Sequence, residues 1–204
     1  MISAEESLQR LQEGNKRFVA GIRGNKKAHI NSIPKNKDSQ NPFAIILGCS
    51  DSRVPAEIVF DQGMGDLFVI RVAGNIVAPS QLGSIEFAVE NFGTQLVIVL
   101  GHSCCGAVSA TLDDIQHPGI QSHSNVFSIV DRIRPAVEPL LDTKLIHHEE
   151  KLLEAAIRAN ILASTNQLRH DSPLLETYVG KNKLKVVGAE YSIATGEVDF
   201  FDFI

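Results

Sequence analysis

The 204 residues carry 44% hydrophobic and 21% charged side chains, an ordinary balance for a single globular domain, residues 1–204, with room for a real core. The formal net charge of −5 leaves no basic excess to neutralise phosphates, which argues against a nucleic-acid partner. No apolar run approaches the ~20 residues of a membrane span, and the opening Met-Ile-Ser-Ala-Glu-Glu lacks the basic and apolar regions of a secretion signal, so the expectation is a cytoplasmic protein with no membrane partner.

In chain order, Ser3 followed three residues later by Glu6 has the form of a capping box and predicts a helix through about Phe18. Residues 21–42 are rich in Gly, Lys and Asn with two prolines and predict a loop, its Lys-rich patch at 26–37 solvated. The short apolar runs 43–47, 67–70 and 96–100 predict buried strands. Residues 80–92 and 105–115 predict helices after the second and third strands, and longer helical patterns follow at 124–141 and 145–169. A fourth strand at 184–187 is expected to pair with 198–203 across the turn Ala194-Thr-Gly196, as an antiparallel hairpin. The fold class is therefore α/β: a central, mostly parallel sheet of four strands plus an antiparallel edge strand, helices on both faces and an N-terminal helical arm.

Three cysteines, two of them adjacent, make a poor disulfide framework. They lie in two short strings, Cys49-Ser-Asp51-Ser-Arg53 and His102-Ser-Cys104-Cys105-Gly106, each following an apolar strand. Cys49 and Asp51 at i, i+2 point to one side of a strand end, and His102 and Cys105 at i, i+3 close around a strand-to-helix turn. Cys104, at i+2 from His102, is expected to face elsewhere. Cys105 sits near a helix N-terminus, where the dipole favours the thiolate that a metal needs. Two thiolates, an imidazole and a carboxylate suit Zn²⁺, and thiolates disfavour Mg²⁺ and Ca²⁺. Arg53 offers Asp51 a second, charge-assisted partner; if the carboxylate turns to it, water can take the fourth position.

Cys-x-Asp-x-Arg followed some fifty residues later by His-x-x-Cys-Gly resembles the β-class carbonic anhydrases. Cys49-Ser-Asp-Ser-Arg-Val-Pro55, Gly65-Asp-Leu-Phe-Val-Ile-Arg71 and Ala73-Gly-Asn75 carry the likeness further, and it runs from about residue 3 to the C-terminus. The resemblance implies reversible hydration of carbon dioxide to bicarbonate and a proton via zinc-bound hydroxide. It implies that Cys49, His102 and Cys105 hold the zinc, and that Asp51 either completes the shell or pairs with Arg53 in the active form. It further implies a substrate pocket at Gln40, Phe68, Ala73, Phe87 and Gly106, with Phe87 where plant members carry tyrosine, and a homodimer or homotetramer. Some members are switched off by bicarbonate in a pocket of Trp, Arg and Tyr. Arg71 and Tyr191 match two of these, but Ile46 stands where the Trp would be, so the likeness is to the non-allosteric subset. Two alternatives are a carbonyl sulfide or carbon disulfide hydrolase on the same scaffold, and a non-catalytic zinc or thiol sensor with Cys104 as its reactive thiol.

Overall fold

The apolar runs that end in Gly48 and His102 lie side by side in a five-stranded sheet. The computed structural model describes residues 2–21, 40–117 and 125–201; most of the expected 21–42 loop, with its Lys-rich patch, and the last two residues of the expected 198–203 strand lie outside them. The strands are β1 (Ala44–Gly48), β2 (Leu67–Arg71), β3 (Leu96–His102), β4 (Lys185–Tyr191) and β5 (Val198–Phe201), in the order β2-β1-β3-β4-β5. The first four are parallel, and β5 is an antiparallel edge.

Because side chains alternate along a strand, the sheet supplies two cores. Ile45, Leu47, Val97, Val99 and Val186 face one side, where they meet α3 (Pro79–Phe92), α4 (Gly106–Gln116), α5 (Phe127–Val137), α6 (Glu149–His170) and α7 (Pro173–Gly180). Ala44, Ile46, Leu96, Ile98, Leu100 and Val187 face the other, under α1 (Ala4–Val19) and the one-turn α2 (Ala56–Val59). The capping box forms, with the Glu6 amide donating to Ser3 Oγ at 3.1 Å and the Ser3 amide to Glu6 Oε2 at 2.9 Å. The N-terminal helix lies along its own chain, burying Ala4, Ser7, Leu11, Gly14 and Asn15.

Several boundaries differ from expectation for local reasons. The 124–141 pattern is α5 followed by a tighter 3-10 turn, Glu138–Asp142, because Pro139 has no N–H to continue the α-helical ladder. The 145–169 pattern opens with another 3-10 turn, Lys144–His147, before α6 begins at Glu149. Strand β4 continues past Val187 through Gly188 to Tyr191. The short helices α2 and α7 were not expected, since neither is long enough to display a period.

The topology positions the site. Strand β1 connects outward to β2, and the chain then returns across β1 to β3 on its other side. The carboxyl ends of β1 and β3 therefore part at the point where strand order reverses, the usual ligand crevice of an open parallel sheet. Gly48 is level with Leu100, so Cys49 and His102 leave adjoining strand ends at nearly the same height. No helix among the described residues is long and apolar enough to cross a membrane.

Candidate metal centre

Cys49 follows β1, His102 ends β3, and Cys105 is the N-cap of α4. All three are buried, and their ligand atoms lie within 4.8 Å of one another. Zinc bonds of about 2.0–2.3 Å set tetrahedral donors roughly 3.5–4 Å apart, so little movement is needed for them to share an ion. Cys105, not its exposed neighbour Cys104, joins the group. Cys104 takes a left-handed φ of 56°, and this turn carries the chain from the strand end to the helix start between the two ligands.

The imidazole gives a specific test of fit. His102 is fully buried, and its Nδ1 lies 2.9 Å from the Ser103 carbonyl. A carbonyl can only accept, so Nδ1 carries the proton and Nε2 presents a lone pair. Nε2 is buried without a hydrogen-bond partner. A buried nitrogen with its lone pair free beside two sulfurs costs folding energy unless a cation meets it. The donor set therefore fits a zinc-like metal.

Around this group the chain is held by hydrogen bonds to side chains and backbone. Asp51 accepts from Arg53 Nε at 2.9 Å and Nη2 at 2.7 Å, and its Oδ1 also accepts the Arg53 amide at 2.9 Å. Asp51 Oδ2 remains 3.9 Å from His102 Nε2. Arg71 donates from Nε to the Cys49 carbonyl at 3.0 Å and from Nη2 to the Asp51 carbonyl at 2.5 Å. The Gly74 amide donates to Cys49 Sγ at 3.4 Å.

Electrostatics follow this geometry. The neighbouring Cys105 thiol, with His102 and the Gly74 amide, draws the Cys49 thiol down against the opposing effect of burial. The adjoining Cys49 sulfur, together with burial, pushes Cys105 up. Burial disfavours the His102 cation, but the Cys49 sulfur and the Ser103 carbonyl outweigh it and its pKa is raised. The Arg53 guanidinium holds the Asp51 carboxyl well below the usual carboxylate range.

Of the expected pocket residues, Ala73 opens the turn that carries the Gly74 amide, and Gly106 is the exposed first residue of α4. Phe68 of β2 packs against Phe87 and Phe92 of α3, with ring centroids 6.4 and 5.9 Å away, and Phe87 is half exposed. Gln40 is exposed ahead of β1 and makes no hydrogen bond among the described residues. Tyr191 and Ile46 are buried in the core under α1. Sequence reasoning missed the backbone role of Arg71 and the Gly74 amide. It also missed Asn160, a buried polar residue whose Nδ2 donates to the Gly74 carbonyl at 2.8 Å. Its signal was available: an amide on the apolar face marked by Ile157, Ile161 and Leu168.

Fold and site together define an α/β protein with a thiolate–imidazole centre at the switch point of a parallel sheet. The family model described as carbonic anhydrase matches residues 44–198. The carbonic anhydrase of Mycolicibacterium smegmatis is 38% identical over 93% of this chain and 89% of its own length. Carbonic anhydrase 2 of Mycobacterium tuberculosis is 35% identical over 95% and 91%. The solved β-carbonic anhydrase CcaA superposes with a TM-score of 0.72 at 30% identity, covering 96% of this chain and 87% of that one. The chain belongs to the β-carbonic anhydrase family of enzymes.

Proposed function

We propose that the chain is a single-domain zinc enzyme that reversibly hydrates carbon dioxide to bicarbonate and a proton. The observation that carries this reading is the convergence of Cys49, His102 and Cys105 beside an Asp51 carboxylate that Arg53 already holds. When bound, zinc supplies the positive charge that lowers the pKa of a coordinated water toward neutrality. Two thiolates would neutralise more of the ion's charge than neutral imidazoles do, and would lower that pKa less.

The roles of the chain's own residues follow. Cys49, His102 and Cys105 hold the ion, and the His102 Nδ1–H bond to Ser103 keeps Nε2 free to bind. With its pKa depressed, Asp51 stays ionised at neutral pH; it accepts a hydrogen bond from the reacting water and orients it, without taking up the proton. Arg53 holds that carboxylate, so a metal held by Cys49, His102 and Cys105 would be left able to take a water.

Carbon dioxide has no charge to grip, so the pocket is assigned to apolar walls, Phe68, Phe87 and Ala73, with the Gln40 amide and the Gly106 backbone to orient it. Ile46 in place of tryptophan supports the non-allosteric subset. Half-exposed Phe87 and the open edge of β5 support assembly into a homodimer or homotetramer, since exposed apolar surface and free strand edges invite pairing. A cytoplasmic setting suits thiolate ligands, which need a reducing compartment.

Stopped-flow hydration of carbon dioxide by zinc-loaded and chelator-treated protein tests the proposal. Hydration that depends on zinc is expected. Turnover of carbonyl sulfide or carbon disulfide in preference to carbon dioxide would assign the scaffold to sulfur substrates instead. Zinc binding without turnover of either class would leave a sensor.

A further inference from the structure

Asn160 lies near the middle of α6, with only 2% of its surface exposed. An amide side chain buried that deeply is costly unless its groups are used. Its Nδ2 donates to the Gly74 carbonyl at 2.8 Å, while the Gly74 amide donates to Cys49 Sγ at 3.4 Å. That carbonyl and that amide belong to successive peptide planes hinged at the Gly74 Cα.

The hinge is unusually free and unusually confined. Gly74 has a φ of 72°, in the left-handed region, and a Cβ there would lie 2.7 Å from Ile133 Cδ1 and 3.1 Å from Ala107 Cβ. Both the φ and the crowding favour glycine, yet glycine has the least intrinsic preference for any one orientation. Something outside the turn must therefore fix its carbonyl, and with it the direction of its amide.

Helix α6 is brought close enough to do so by two other glycines. A Cβ on Gly101 would lie 2.4 Å from Ile161 Cδ1, and one on Gly188 would lie 3.1 Å from Ile161 Cγ2. These gaps in β3 and β4 let Ile161 seat against the sheet, which places its neighbour Asn160 within reach of the turn. The contact joins α6 to residues that immediately follow β2, some 86 positions away in sequence.

We propose that Asn160 is a positioning residue for the metal centre: by anchoring the Gly74 carbonyl it aims the Gly74 amide at Cys49 Sγ. That amide bond sets the electron density of one thiolate ligand, so Asn160 tunes how tightly and with what donor strength the site holds its ion. Outer partners of metal ligands commonly govern affinity in this way. The inference rests on the metal-binding reading above.

The test uses cobalt(II) as the probe, in the full chain, reading the thiolate-to-cobalt absorption band and the dissociation constant by chelator competition. Asn160→Leu keeps the volume and removes the donor; it is expected to shift the band and weaken cobalt binding about 10-fold. Asn160→Gln, which retains a donor, is expected to recover most of the loss. Ile161→Val trims the same helix contact without touching the hydrogen bond, and is expected to lower the melting temperature while leaving band and affinity unchanged. If Asn160→Leu does not fold, Asn160→Ala supplies the same comparison. An Asn160 variant lacking the donor that binds cobalt as the parent does, with the same band, overturns the proposal. So does an Ile161→Val protein whose band moves equally, because packing alone would then be the cause. A parent protein that shows no thiolate band with cobalt overturns the metal-binding reading itself, and this inference with it.

Discussion

Asp51 and Arg53 face each other through two parallel bonds, Nε to Oδ1 at 2.9 Å and Nη2 to Oδ2 at 2.7 Å, while Asp51 Oδ2 stands 3.9 Å from His102 Nε2. The carboxylate is thus engaged by a guanidinium at the very edge of the ligand group. A fork-to-fork pair of this kind fixes direction as well as charge. The same oxygens can serve a metal or an arginine, and the spacing of only two residues makes the exchange a local rotation.

Arg53→Ala removes the competing partner. Asp51 is then expected to bind the metal as a fourth protein ligand in a crystal structure near pH 7.5, and hydration is expected to fall by about 10–100-fold. Arg53→Lys is not expected to restore the rate, because a point charge does not reproduce the bidentate fork. In the parent protein under the same conditions Asp51 stays with Arg53; a carboxylate found on zinc there would contradict the gating assignment.

The same pair couples stability to pH. The Asp51 carboxyl is depressed from its ordinary 3.8, chiefly by the Arg53 hydrogen bond. A carboxylate with a lowered folded pKa stabilises the native state above its unfolded value, and that contribution is lost as pH falls through the folded one. Asp51→Asn should therefore melt below the parent by a constant margin down to about pH 5, and the margin should shrink through the acid range below it. Melting curves taken with a chelator present keep metal loss out of the comparison. A margin independent of pH to the acid limit would mean that the ion pair adds nothing.

The two adjacent cysteines should separate cleanly. Cys105 is buried within the ligand group and Cys104 is exposed on a left-handed turn. Cys104→Ser is expected to keep its zinc and its hydration rate, whereas Cys105→Ser or Cys49→Ser is expected to be purified with little zinc. Metal content by elemental analysis checks this directly. Retention of zinc in Cys105→Ser with loss in Cys104→Ser would exchange the two assignments.

Much of this was legible because strand ends impose simple geometry. Apolar runs of about five residues announced β1, β2 and β3, and the ligands followed them at spacings that a strand end or a helix start translates into direction. What stayed hidden has a different physical origin. Helix α2 is a single turn, too short for a period. Pro139 divided a continuous apolar pattern that periodicity alone extends. Arg71 and Asn160 act on backbone carbonyls, at Cys49, Asp51 and Gly74. A carbonyl is present at every residue, so no side-chain motif marks such a partner; only the fold brings 160 to 74.

Gly14 offers a prediction whose sign is decided by tertiary packing against helix propensity. In an isolated helix alanine is favoured over glycine by about 1 kcal/mol. Here a Cβ on Gly14 would lie 1.9 Å from the Phe60 carbonyl oxygen and 2.8 Å from its carbon, and backbone cannot swing aside as a side chain can. Relieving the overlap means lifting α1, which would pull Leu11 from the core. It would also stretch the bonds from Asn15 Nδ2 to the Gly196 carbonyl and from the Val198 amide to Asn15 Oδ1, both 2.9 Å. Gly14→Ala is therefore expected to destabilise the fold by about 2–3 kcal/mol, seen as a lower urea midpoint with an unchanged slope. Zinc content should not change, because α1 packs on the face of the sheet opposite the core that holds Cys49 and Cys105. An alanine variant as stable as the parent, or more so, would show that α1 is free to shift on the sheet.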